Sequence, residues 1–141
     1  MFTGEYRHAV DEKGRIAVPV RFRPDLVGAF VSKWIDGCLA IHPRAAWDVL
    51  SAKLGALPVT DGNARTFSRY IFGAAFEVEL DRQGRLLLPD VLRGFAKLER
   101  EVVIVGARDH VELWTPPLWD AYSARMDDPD VLAENLQGLG I

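Results

Sequence analysis

Asp11-Glu12-Lys13-Gly14-Arg15-Ile16-Ala17-Val18-Pro19 returns seventy residues later as Asp81-Arg82-Gln83-Gly84-Arg85-Leu86-Leu87-Leu88-Pro89. The same offset sets Phe2 against Phe72, Tyr6 against Phe76, Val10 against Leu80 and Arg23 against Arg93. At an offset of 72, Val31 meets Val103, Ile41 meets Leu113 and Trp47 meets Trp119. Two residues have therefore entered between the matched blocks, as loops tolerate. A repeat on this scale organises the whole chain.

Around that stretch each copy reads alike. An approach strand comes first (Tyr6 to Val10; Phe76 to Leu80), the second copy alternating Phe76, Val78 and Leu80 with Glu77 and Glu79. The Asp-x-x-Gly-Arg turn follows, its arginine opening a short strand (Ile16 to Val18; Leu86 to Leu88). Proline ends that strand and suits the start of a helical turn, where a missing N–H costs nothing. Two more strands come next, Phe30 to Ile35 with Cys38 to Ile41 and Val102 to Val105 with Val111 to Trp114. A helix closes each copy: Arg44 to Leu54, with Trp47, Leu50 and Leu54 on one stripe, and Pro117 to Met126, with Trp119, Tyr122 and Met126. Gly62 to Gly73 reads as a separate amphipathic helix between the copies. The expected organisation is a first repeat over 5–47, a helical connector over 48–75, a second repeat over 76–119 and an acidic helical tail over 120–141. Units of roughly 45 residues are uncomfortable alone, so they should pack on each other or on a partner chain.

Composition sets the outer bounds. Of 141 residues 49% are hydrophobic and 26% charged, which is globular rather than disordered. One cysteine, Cys38, excludes an internal disulfide, and with no apolar signal segment at Met1-Phe2-Thr3-Gly4-Glu5 the expected compartment is the reducing cytoplasm. No apolar run approaches the roughly 18 residues that span a bilayer, so no membrane partner is expected. The net charge of −3 is unevenly spread: the last 22 residues hold five acids and Arg125, leaving sixteen bases against fifteen acids before them. Thirteen of the 17 bases are arginine, which forks onto phosphates and guanine edges. The balance permits an acidic-tailed DNA binder without arguing for one. Such a tail (Asp127, Asp128, Asp130, Glu134) should lie away from phosphate.

The turn itself has two readings. Aspartate bonds the N–H groups of its own turn and glycine supplies a positive φ, so the arginine pairs with the aspartate as scaffold. Alternatively, Asp11, Gly14, Asp81 and Gly84 shape two turns that project Arg15 and Arg85, with Lys13, Arg82 and Arg7 as further cations, towards DNA. A repeated turn is compatible with both.

Met1-Phe2-Thr3-Gly4-Glu5-Tyr6, Asp11-x-Lys13-Gly14-Arg15-x-x-x-Pro19 and Asp81-x-x-Gly84-Arg85 together resemble the MraZ family of bacterial transcriptional regulators in the SpoVT-AbrB superfamily. The resemblance covers essentially the whole chain. It implies an α+β, mostly β fold: two tandem AbrB-like half-barrels of swapped-hairpin type, forming one pseudo-twofold barrel with peripheral helices. It also implies a nucleoid-associated ring homo-oligomer, octamer-like, bound to direct repeats in double-stranded promoter DNA of the division and cell wall gene cluster, usually as repressor. The family's DNA-linked Asp-x-x-x-Arg element falls on Asp11 with Arg15 and on Asp81 with Arg85. Because Gln83 stands where the first copy has Lys13, the first copy is expected to be the stronger contact. The rival is an antitoxin-like protein-interaction module whose turns are scaffold.

Enzymatic readings find little support. His8, His42 and His110 lack metal-ligand spacing, Cys38 has no second thiolate, and no GxxxxGK loop is present, so neither a metal nor a cofactor is expected. Cys38 reads as a small buried residue. Trp47 and Trp119 belong to helix stripes and hence to a core; Trp34 is the tryptophan that could stack on bases. Asp130 is the expected cap of a last helix.

Overall fold

Both copies run through the same series of elements in a computed structural model that describes residues 1–141. β1 (Glu5–Ala9) enters the first turn and β2 (Arg15–Ala17) leaves it. A 3-10 segment (Val20–Leu26) leads to the hairpin of β3 (Phe30–Lys33) and β4 (Leu39–His42), followed by α1 (Arg44–Gly55). After α2 (Gly62–Phe72), the second copy supplies β5 (Phe76–Glu77), β6 (Arg85–Leu87), α3 (Asp90–Ala96), β7 (Glu101–Gly106), β8 (Val111–Trp114) and α4 (Pro116–Met126). The last helix is α5 (Pro129–Leu136). The fold is α+β with antiparallel sheets.

The two copies interlock rather than sit side by side. The large sheet has the order β1-β7-β8-β4-β3-β5. Outward from the central β8–β4 pair, each copy's hairpin is flanked by the other copy's approach strand, with Tyr6 opposite Ile104 and Phe76 opposite Val31. β2 and β6 form a separate two-stranded ribbon centred on Ile16 opposite Leu86, each also bridged once to its own copy, Val10 to Ile16 and Leu80 to Leu86. Alternation then decides the faces. Ile16 and Leu86 point into the core with Val18, Phe22, Leu26, Leu88, Leu92 and Val102, while Arg15, Ala17, Arg85 and Leu87 face outward. Each fully buried branched side chain contributes about 1.5–3 kcal/mol, so the core fixes which way the ribbon faces.

Several local features depart from the sequence expectation for identifiable reasons. The stretch after Pro19 is 3-10 where its twin after Pro89 is α-helical; Pro24 stands where the second copy has Gly94 and supplies no N–H for an i→i−4 bond. Both prolines occupy the extended cap position, just before the first helical residue. The second approach strand is regular only over Phe76–Glu77, and Phe76 is exposed while Val78 and Leu80 turn to the core. Asp128, not Asp130, caps α5, its carboxylate accepting from the N–H groups of Asp130 and Val131. Met126 is exposed rather than part of the α4 stripe, where Trp119 packs edge-on against Trp114. Trp47 stacks on Phe30. No helix is long and apolar enough to cross a membrane.

Candidate nucleic-acid interface

The two turns are built alike, atom for atom. Asp11 Oδ1 accepts from the backbone N–H of Lys13 at 2.9 Å and of Arg15 at 2.8 Å, and Oδ2 accepts from Arg15 Nε at 2.7 Å. Asp81 does the same for Gln83 (2.9 Å), Arg85 (2.9 Å) and Arg85 Nε (2.7 Å). The chain closes on itself through Gly14 N–H to Asp11 O and Gly84 N–H to Asp81 O, both 2.9 Å, with φ of +81° and +74° at the glycines. Glycine takes such angles freely and other L residues do not. The Arg15 and Arg85 N–H groups, then the side-chain bonds, hold the two carboxyls below the usual aspartate range, so both are ionised at neutral pH.

Each arginine is anchored through Nε alone; its two terminal nitrogens make no hydrogen bond within the chain. The ribbon register sets Arg15 opposite Leu87 and Arg85 opposite Ala17, so both guanidinium groups stand on one outward face. From strand geometry their Cα atoms are roughly 8 Å apart. Rigid backbone, outward fork and a shared face suit anions spaced along a strand. Lys13 and Arg82 are exposed on the turns beside them.

Two further arginines join the turns, and they come from the opposite halves. Arg23 donates through Nε to Val18 O at 2.8 Å and lays its guanidinium against Gly84. Arg93 donates to Leu88 O at 3.2 Å and covers Gly14. In both places a Cβ on the glycine would come closer to the guanidinium than real Cβ atoms do. The turn carbonyls cross over too: Gly84 O accepts from Val18 N–H and Gly14 O from Leu88 N–H, both at 3.0 Å. Arg23 and Arg93 share the 70-residue offset of the two turns, which is the signal in the sequence that bears on their place in the site.

A family model described as "MraZ protein, putative antitoxin-like" matches the chain twice, over residues 1–70 and 71–135. The chain belongs to the MraZ family. It is 48% identical over 143 residues to the transcriptional regulator MraZ of Desulfitobacterium hafniense (strain DSM 10664 / DCB-2), covering all of both chains. It is similar at 46% identity to that of Moorella thermoacetica, over 96% of each chain, and at 42% to that of Clostridium acetobutylicum, over all of each. These MraZ relatives carry the names of regulators, not of enzymes.

The remaining candidates lie elsewhere. Arg7, on β1, gives Nη2 to Asp120 Oδ1 of α4 at 2.5 Å, the hydrogen bond that most raises its pKa, and has no bond to either turn. Trp34 is not free for stacking on bases: it packs edge-on against His42 and tilted against His110, and its carbonyl accepts from Tyr70 Oη at 2.6 Å. Cys38 is buried, its thiol donating to Ile35 O and its pKa pushed well up by desolvation. No three His, Cys, Asp or Glu side chains converge as metal ligands.

Proposed function

We propose that this chain is a sequence-specific, double-stranded-DNA-binding transcriptional regulator, acting as a ring-shaped homo-oligomer on repeated boxes in the promoter of the division and cell wall gene cluster, as a repressor. The observation that carries the reading is the ribbon: β2 and β6 bring Asp11–Arg15 and Asp81–Arg85 onto one outward face. In this reading the two copies are AbrB-like, swapped-hairpin halves of one barrel over 5–47 and 76–119, with 48–75 as connector and 120–141 as tail. Gly14, Gly84, Asp11 and Asp81 hold the turns, and Arg15, Arg85, Lys13 and Arg82 meet DNA, with Arg7 at the margin. The protein works in the cytoplasm, on the nucleoid.

A single chain offers few cations, and each neutralised phosphate adds only one step of counterion release. A ring repeats the same face, so that contacts after the first become intramolecular and repeated boxes convert weak contacts into firm binding. The test is a mobility-shift assay on the chain's own promoter region, with competitor duplexes from which the repeats have been deleted. Shift by the intact repeats alone supports the reading. Equal competition by repeat-deleted DNA, or no shift at all, leaves the reading as an antitoxin-like protein-interaction module whose turns are scaffold.

A further inference from the structure

We propose that the two turn tips are unequal, that the second is the principal anion-binding tip, and that Asp90 and Val20 set the difference. This rests on the reading under Proposed function and deepens it. Lys13 against Gln83 had ranked the first copy higher; the cross-packing of Arg23 and Arg93 reverses that order.

Consider what surrounds each turn. Over the first lies Arg93, and its Nη2 is held by Asp90, one residue after Pro89. Glu12 stands beside Lys13, and Arg15 is paired with Asp11. Around the first turn Arg15 and Arg93 are thus each ion-paired, which leaves Lys13 as the single cation without an ion pair. Over the second lies Arg23, whose head group forms no ion pair; the residue equivalent to Asp90 is Val20, which is 72% exposed. Arg82 replaces Glu12, and Arg85 is paired with Asp81. Two cations, Arg23 and Arg82, are left unmatched there. Glu77 and Glu79 precede this turn and Asp25 follows Arg23, but none of them forms an ion pair with its cations.

The consequence is physical rather than compositional. A phosphate approaching the first tip must displace Asp90 from Arg93, an acid held at close quarters on the same helix. A phosphate approaching the second tip meets an arginine already positioned by Val18 O and facing no competitor. Only uncompensated cations add fully to the salt dependence of binding.

The two positions can be exchanged without touching either arginine. Val20→Asp should mask Arg23, and Asp90→Val should unmask Arg93; both sites are exposed, Asp90 to 93%. On the promoter duplex, Val20→Asp should weaken binding about tenfold and reduce the salt slope by about one per engaged subunit, and Asp90→Val should shift both the other way. Elution from heparin reads the tips without any sequence requirement, with Val20→Asp leaving earlier and Asp90→Val later than wild type. Arg23→Gln and Arg93→Gln each lose one backbone bond, so equal losses of duplex affinity would reduce the arginines to scaffold and overturn the inequality. So would unchanged or same-direction shifts for the exchanged pair, or a Glu134→Gln tail variant that gains as much as Asp90→Val. Wild type that fails to hold the duplex sinks the DNA reading, while the heparin order still judges the inequality of the tips.

Discussion

Arg23 carries its guanidinium against Gly84, a glycine in the turn of the other repeat. Arg93 stands in the same relation to Gly14. Each turn is therefore shaped by its own aspartate from within and covered by an arginine from outside its own half. The two halves cannot be separated without stripping both turns, which ties the integrity of the outward face to the packing of the whole chain.

Gly84→Ala follows directly. The φ of +74° costs an alanine about 1–2 kcal/mol, and its Cβ must also displace the Arg23 head group. Gly28→Ala is the matched control, with φ of +77° and nothing within 4 Å of its Cβ. Thermal melts should show both variants lowered by several degrees. Gly84→Ala alone should also lose affinity for the promoter duplex; equal affinity in the two would detach Arg23 from the site.

The His42 ring is buried in contact with His110, and its Nδ1 has no hydrogen-bond partner. Burial, with the nearby His110, pulls its pKa down to about 4, against the opposing pull of Asp109 and Glu112. A folded pKa below the ordinary 6.5 means that His42 stabilises the fold fully above 6.5 and that this stability is lost as pH falls towards 4. His110 has the opposite sign: burial disfavours its charge, but the hydrogen bonds its ring N–H groups donate to Glu112 and Asp109 outweigh that and raise its pKa, so its contribution fades only as pH rises through that value. His42→Phe should therefore remove more than ~1 kcal/mol of the acid-induced loss between pH 6.5 and 4.5. Parallel melting curves for wild type and variant across that range would remove His42 as the cause.

Much of this was legible in the chain. The 70-residue offset located the two turns and the matching strands, because turn chemistry is local: an aspartate, a glycine and an arginine at fixed spacing carry their geometry with them. What stayed hidden was non-local. Nothing in Arg23 or Arg93 says which turn it will cover, since that depends on the pairing of β2 with β6 between the copies. The masking of Arg93 by Asp90 needs a helix where the first copy has a proline-bearing 3-10 segment. Trp34 read as free because its partners, His42 and His110, arrive from two other hairpin positions.

Assembly is the next expected outcome. Val20, Val27, Ile35, Val49 and Val59 are each at least half exposed, and Leu87 stands on the outward face of the ribbon at 58%. Contacts between copies would remove part of that apolar surface from water. Light scattering at micromolar concentration should return a multiple of the 15.7 kDa chain mass. A mass equal to one chain would refute the homo-oligomer, and with it the argument from repeated contacts.

Arg15→Ala separates contact from scaffold, because the turn does not depend on the arginine side chain. Asp11 Oδ1 still accepts from the N–H groups of Lys13 and residue 15 after the change; only the Nε bond to Oδ2 goes. That ion pair is about one-third exposed on both sides and is screened by solvent, so its loss should move melting little. Asp11→Ala removes all three bonds and should lower melting further and release the turn. If the guanidinium groups touch DNA, Arg15→Ala should weaken promoter binding by at least tenfold while oligomer size and melting stay near wild type, since the loss recurs in every engaged subunit. Arg85→Ala should weaken it at least as much, because the second tip bears both Arg23 and Arg82 unmatched and the first only Lys13. A well-folded, correctly assembled Arg85→Ala protein that holds the promoter repeats at wild-type affinity, alongside an equally unaffected Arg15→Ala, would leave the two turns as scaffold and move the DNA contact elsewhere on the chain.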